Sequence, residues 1–143
     1  GIEKSRLILE NKSPHSDFLA RYNDVDIALD TFPYSGGLTT CEALWMGVPV
    51  ITKPGETFAS RHSLSHLSNV GVPELVAAEV PDYVAKTVEL ANDVPRLAGL
   101  RSGLRERMAK SPLCDGKTFS SDFTSAMRHI WQDWCLAQDG GIG

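Results

Sequence analysis

The run LDTFPYSGGLTTCEALWMGVPVIT, residues 29–52, constrains this chain more than any other. An apolar, strand-like segment leads into two adjacent glycines. A helical spacing of apolar residues follows, and a second short apolar run comes directly after another glycine. Strand, helix and strand at such close spacing read as a βαβ unit. Two parallel strands can be joined only by a crossover, so the unit requires a parallel sheet covered by helices.

The flanking segments extend this pattern. Arg6–Glu10 (RLILE) is predicted to be a strand, SDFLARYN a short helix capped by Ser16, and Val25–Asp30 a second strand. Cys41, Leu44 and Trp45 recur at helical spacing, and their helix is expected to end at Gly47, a residue suited to a C-cap. Val48–Thr52 is short and continuously apolar, as a strand buried on both faces should be. A helix through FASRHSLSHLSNVG and a strand at Glu74–Ala77 complete the first half.

The second half is predicted to be helical. VPDYVAKTVELAND places Tyr83, Val84, Val88 and Ala91 on one face, and VPRLAGLRSGLRERMAK follows. In the last helix, Phe119, Phe123, Met127, Ile130, Trp131 and Trp134 form a stripe that reads as a packing face. The expected fold is α/β, a Rossmann-like parallel sheet flanked by helices with a helical C-terminal part. It occupies a single lobe over residues 1–139, with a disordered tail at 140–143.

Composition excludes several classes of function. The 143 residues suit one compact domain, and a formal charge of -4 argues against nucleic acid as a partner. Arg101, Arg105 and Arg107 read as scattered surface charges rather than a binding stripe. No apolar run approaches the roughly 18 residues that span a bilayer, so no membrane partner is expected. Cys41, Cys114 and Cys135 stand at unrelated spacings, which implies neither disulfides nor a metal site and points to a reducing, cytoplasmic setting. Cys41 reads as a helix-packing residue and His129 as a boundary residue. His62 and His66 are one helical turn apart, a spacing that can bind a metal, but without a third ligand they read as a polar helix face. The start at Gly-Ile-Glu-Lys suggests a piece cut from a longer protein.

The chemistry concentrates in Ser35-Gly36-Gly37-Leu38-Thr39-Thr40. Ligands of open parallel sheets bind beyond the carboxyl ends of the strands, and a helix N-terminus there offers unpaired N–H groups to an anion. Gly36 and Gly37 allow close approach of a phosphate, while Thr39 and Thr40 can cap the helix or donate hydroxyls. The residues alone leave two readings open, a tight turn with a helix cap or a phosphate cradle. Glu42 likewise fits two roles, the partner of Thr39 in a capping box or a carboxylate that takes the hydroxyls of a ribose.

Together, VDIALDTFPYSGGLTTCEALWMGVPVIT, PGETFASRHSLSHLSNVGVPELVA and the later SPL resemble the C-terminal lobe of the O-linked N-acetylglucosamine transferase family. The similarity is greatest to its bacterial members and to the plant SPINDLY-like proteins, and it runs from about Arg6 to Trp134. The resemblance implies half of a two-lobed GT-B glycosyltransferase that transfers a sugar from a nucleotide donor to Ser or Thr hydroxyls of a protein acceptor. UDP-GlcNAc is the donor it favours, with a GDP-sugar as the alternative, and no cofactor or metal is expected. It further implies an N-terminal lobe and tetratricopeptide repeats upstream, so that this lobe alone would lack activity and the proton-handling residues would lie outside it. Position by position, Gly36, Gly37, Leu38, Thr39 and Thr40 match the diphosphate segment and Glu42 the ribose-binding acid. Ser13, Phe18 and Arg21 match the segment that holds the base, with His15 beside the ribose. Leu38 departs from the usual Thr and removes a hydroxyl, Gly37 replaces a His of animal members, and Phe18 stands where they have a base-stacking His. Another GT-B enzyme acting on glycan or lipid, or a non-catalytic nucleotide-binding module, are the alternative readings.

Overall fold

The computed structural model describes residues 1–139; the expected tail at 140–143 lies outside the described residues. Six residues separate the first α-helix, α1 (His15–Arg21), from strand β1 (Ala28–Leu29). Helix α2 (Leu38–Trp45) and strand β2 (Val50–Ile51) follow, then α3 (His62–Val70), α4 (Val80–Asn92), α5 (Val94–Ala109) and α6 (Gly116–Asp139). β1 and β2 pair in parallel with Ala28 opposite Val50 and Leu29 opposite Ile51, so β1–α2–β2 is the expected crossover unit. A single parallel bridge from Thr52 to Val76 extends the sheet by one more chain segment.

The core lies between this small sheet and helices α2, α3 and α5. Leu44, Val48, Ile51, Leu67, Leu75, Leu90 and Leu104 form its fully enclosed centre. Burial of both β2 residues agrees with the continuously apolar run that encodes the strand. A glycine-centred turn ends α2. Gly47 adopts φ +83°, its N–H bonds to the Leu44 carbonyl, and the Val48 N–H reaches back to Ala43 at 2.8 Å. These two bonds are those of a Schellman motif, which turns the chain at once into β2. A Cβ on Gly47 would also stand 2.5 Å from the Arg101 carbonyl of α5, so glycine there permits both the turn and the close approach of α5.

Several expectations about the elements are corrected. Arg6–Glu10 is not a strand: a 3-10 turn covers Lys4–Arg6, and Leu7, Ile8 and Leu9 are exposed without strand partners. Glu74–Ala77 contributes only the bridge at Val76, because a 3-10 turn beginning at Pro73 takes up Pro73–Leu75. α1 starts at His15 after Pro14, so Ser16 lies inside the helix and caps nothing. The helix expected from Phe58 is broken into a 3-10 turn, Phe58–Ser60, and α3. In α4 it is Tyr83 and Leu90 that face the core, while Val84 and Val88 are exposed. The apolar stripe of α6 is exposed from Phe119 to Trp134, and His129 is exposed with it. Arg101 is no free surface charge: its guanidinium donates to the carbonyls of Tyr22, Asn23 and Val25, and so fastens the turn that follows α1.

What positions the glycine loop is the carboxylate of Asp30, at the end of β1 and 8% exposed. One of its oxygens accepts from the Gly36 N–H at 2.7 Å; the other accepts from the hydroxyls of Ser35 at 2.9 Å and Thr52 at 2.6 Å. The Tyr83 hydroxyl of α4 donates to the Asp30 carbonyl at 3.0 Å. Ser35 in turn accepts from the Ser63 N–H at the start of α3, at 3.0 Å. The hydroxyls of Thr40 and Ser63 both converge on the Gly36 carbonyl at 3.1 Å. β1, β2, the loop, α2, α3 and α4 therefore meet through one buried acid.

Three substitutions test these devices. Gly47→Ala combines an unfavourable positive φ with a backbone clash and should cost about 2–4 kcal/mol in urea-induced unfolding. Asp30→Ala leaves two hydroxyls and a backbone N–H without an acceptor and should cost about 3–5 kcal/mol. Asp30→Asn, which keeps acceptor oxygen at the same place, should lose clearly less in the same measurement.

Candidate nucleotide-binding site

The candidate site is built from α1, the turn after it, the end of β1 and the start of α2. The residues expected at the base, Ser13, Phe18 and Arg21, line one cavity of about 670 Å³ together with His15. Phe18 and Tyr22 lie one helical turn apart and pack edge to face at 5.4 Å between ring centres, which sets a rigid aromatic wall. Arg21 is held on the far side by Glu10 at 2.7 Å and by the Asn11 carbonyl at 3.3 Å. The Ser13 hydroxyl is buried without a hydrogen-bond partner.

His15 and Glu42, separated by 27 positions in sequence, meet at 2.7 Å between Nε2 and Oε1 and bridge α1 to α2. The capping box of Thr39 with Glu42 does not form. Gly37 is the N-cap residue of α2, no side chain caps the helix, and Thr39 sits inside its first turn. The Glu42 carboxylate points instead toward α1, where His15 takes one oxygen and leaves the second available to a ligand hydroxyl.

A second cavity, about 170 Å³, adjoins the first through Tyr22, which lines both. Gly36, Thr39, Thr40 and Asp30 are among its walls. The Tyr22 hydroxyl donates to the Thr39 carbonyl at 3.3 Å. Burial, and next the negative charge of Glu42, push the Tyr22 hydroxyl above its ordinary pKa, which keeps it protonated as a donor. The first-turn amides of Leu38, Thr39 and Thr40 have no carbonyl acceptor, so the N-terminal end of α2 presents N–H groups and a positive dipole end.

The six loop residues are thereby divided between scaffold and surface. The Gly36 N–H is taken by Asp30 and the Thr40 hydroxyl by the Gly36 carbonyl, so neither is free for an anion. A Cβ on Gly36 would lie 2.6 Å from the Thr40 hydroxyl, which requires glycine there. Gly37 and Leu38 stand outside both cavities, and the Leu38 side chain is 73% exposed. Sequence reasoning overlooked Asp30, Thr52, Tyr22 and Ser63. A charged residue directly after an apolar strand was the available signal for Asp30; nothing local marked Ser63, which acts across 27 positions.

The remaining expected chemistry is modest. Cys41 packs against the core, and its thiol is pushed up by burial first and then by Cys114 and Glu42, which disfavours the thiolate. His66 is half-buried; burial and then the neighbouring His62 lower its pKa, opposed by Asp30. Among the described residues no cluster of three or more His, Cys, Asp or Glu could hold a metal, and no helix is long and apolar enough to cross a membrane.

Comparison with known proteins gives this geometry a context. Residues 1–123 match the family model described as glycosyl transferase family 41. A Petunia hybrida protein described as "probable UDP-N-acetylglucosamine–peptide N-acetylglucosaminyltransferase SPINDLY" is 47% identical over 99% of this chain. The UDP-N-acetylglucosamine–peptide N-acetylglucosaminyltransferase of Caenorhabditis elegans is 33% identical over 92% of it. The chain spans only 15% and 12% of the lengths of these two relatives. Among solved structures, a mutant O-GlcNAc transferase of Thermobaculum terrenum superposes with a TM-score of 0.81 at 41% identity, over 88% of this chain and 24% of that one. The expected α/β architecture of a GT-B glycosyltransferase is thus the one found, and the chain belongs to glycosyl transferase family 41.

Proposed function

We propose that this chain is the donor-binding lobe of a protein O-glycosyltransferase that moves N-acetylglucosamine from UDP-GlcNAc to Ser or Thr hydroxyls. The observation that carries the reading is the single line formed by the base cavity, the His15–Glu42 pair and the free amides of α2. Base, ribose and diphosphate of a nucleotide follow one another in that order. The names of the relatives supply the sugar and the peptide acceptor.

In this reading Phe18 stacks on the base, Arg21 and Ser13 meet its edge, and the free oxygen of Glu42 accepts from a ribose hydroxyl. The diphosphate lies against Gly37, Leu38 and Thr39, where amide N–H groups and the Thr39 hydroxyl receive the charge that grows on it. The acceptor oxygen bonds to the anomeric carbon as the bond to the diphosphate breaks. Fixed donors aimed at the leaving oxygens favour that step, because they need no reorganisation when charge develops. The proton of the acceptor hydroxyl passes to a group on an N-terminal lobe, with which this lobe forms the cleft. Tetratricopeptide repeats joined to that lobe would present the protein acceptor, in a cytoplasmic enzyme that needs no metal or cofactor.

Titration with UDP, UDP-GlcNAc and GDP, followed by amide chemical shifts, tests the reading. Shifts are expected to concentrate at residues 13–21 and 37–42, with uridine nucleotides binding better than GDP. Glu42→Gln should weaken UDP binding about tenfold, the worth of one hydrogen bond to a charged group. Saturating UDP that moves no amide in either segment would refute the site.

A further inference from the structure

His62 opens α3, and its ring lies against the outer side of Gly37. Tyr34 and Phe58 hold it there edge to face, at 6.1 and 4.7 Å between ring centres. The ring nitrogen Nδ1 is buried and has no hydrogen-bond partner. A buried polar atom without a partner is unfavourable, so this arrangement improves when something pairs with it. A Cβ built on Gly37 would meet one atom within 4 Å, and that atom is Nδ1 of His62 at 3.9 Å. An imidazole nitrogen without a partner therefore stands directly beside Gly37 of the loop.

The donor-site reading says what could arrive there. Tyr22 joins the base cavity to the one lined by Gly36 and Thr39. Beyond Gly37, His62 opens onto a third cavity of about 630 Å³ that it lines with Phe58, Arg61 and His66. In the donor-site reading the diphosphate lies against Gly37, and His62 Nδ1 stands 3.9 Å from a Cβ position at that residue, so the distal phosphate comes within reach of the ring. Loop chemistry leaves a gap at that point. Leu38 brings no polar side-chain atom, and the Thr40 hydroxyl is already committed to Gly36.

We propose that His62 binds the distal phosphate of a nucleoside diphosphate or of its sugar ester. A small rotation of the ring about Cβ–Cγ brings the Nδ1–H past Gly37 to a phosphate oxygen, while Nε2 faces the third cavity. Two elements then grip the diphosphate, the amides of α2 from one side and an imidazole of α3 from the other. The inference rests on the donor-site reading given above.

Calorimetry on the intact protein separates the possibilities, with UMP, UDP and UDP-GlcNAc as probes and the guanosine series alongside. His62→Phe keeps the packing with Tyr34 and Phe58 but cannot donate a hydrogen bond; His62→Gln can. The expected result is an approximately tenfold loss of diphosphate and sugar-nucleotide affinity in His62→Phe, unchanged monophosphate affinity, and substantial recovery in His62→Gln. Wild-type diphosphate affinity in His62→Phe would overturn the inference and leave the donor site intact. Equal weakening of mono- and diphosphate would overturn it too, since it marks a general disturbance of the loop. If the wild-type protein binds none of the probes, the donor-site reading falls and this inference with it.

Discussion

The carboxylate of Asp30 holds the glycine loop at the heart of the candidate site. It ends the first strand, takes the Gly36 N–H that shapes the glycine loop, and ties Thr52 at the end of the second strand to the same point. Placing a carboxylate away from water is expensive unless its oxygens are satisfied, and three donors satisfy this one. Ser35 and Ser63 extend the network to α3, and Tyr83 brings in α4. The loop is fixed before any ligand arrives, so the amides of α2 need not be ordered at the cost of binding energy.

That constraint divides the loop into two kinds of residue. Gly36, Ser35 and Thr40 face inward and are used up in holding shape, whereas Gly37, Leu38 and Thr39 face outward. A threonine-rich helix start suggests a cluster of hydroxyl donors, yet only the Thr39 hydroxyl remains uncommitted. The helix end contributes mainly backbone, which tolerates Leu38 because the amide does not depend on the side chain. A side chain from elsewhere, His62, then becomes the natural source of further polar contact.

The βαβ unit was legible because its signals are local. The glycine after Trp45 marks a left-handed turn, and a continuously apolar VPVIT marks a doubly covered strand. The family resemblance assigned His15 and Glu42 to one ribose, but their contact with each other, across 27 positions, came from folding alone. Legibility failed where apolar residues had no partner to pack on. RLILE has the composition of a strand, but no described strand edge receives it, and the stripe on α6 has the periodicity of a packing face with nothing covering it. Composition reports what a segment can do, and burial depends on what is beside it.

The sequence by itself determined the α/β class and the crossover through the glycine loop. These depend on periodicity, turn chemistry and residue type, all encoded within a few positions. Only the tertiary structure decided which polar side chains are free to act. Asp30 reaches Thr52 across 22 positions, Ser63 reaches Gly36 across 27, and Arg101 reaches back to Val25 across 76. Hydrogen bonds are short-ranged and directional, so a polar group's availability is settled by the neighbours that folding brings within about 3 Å of it.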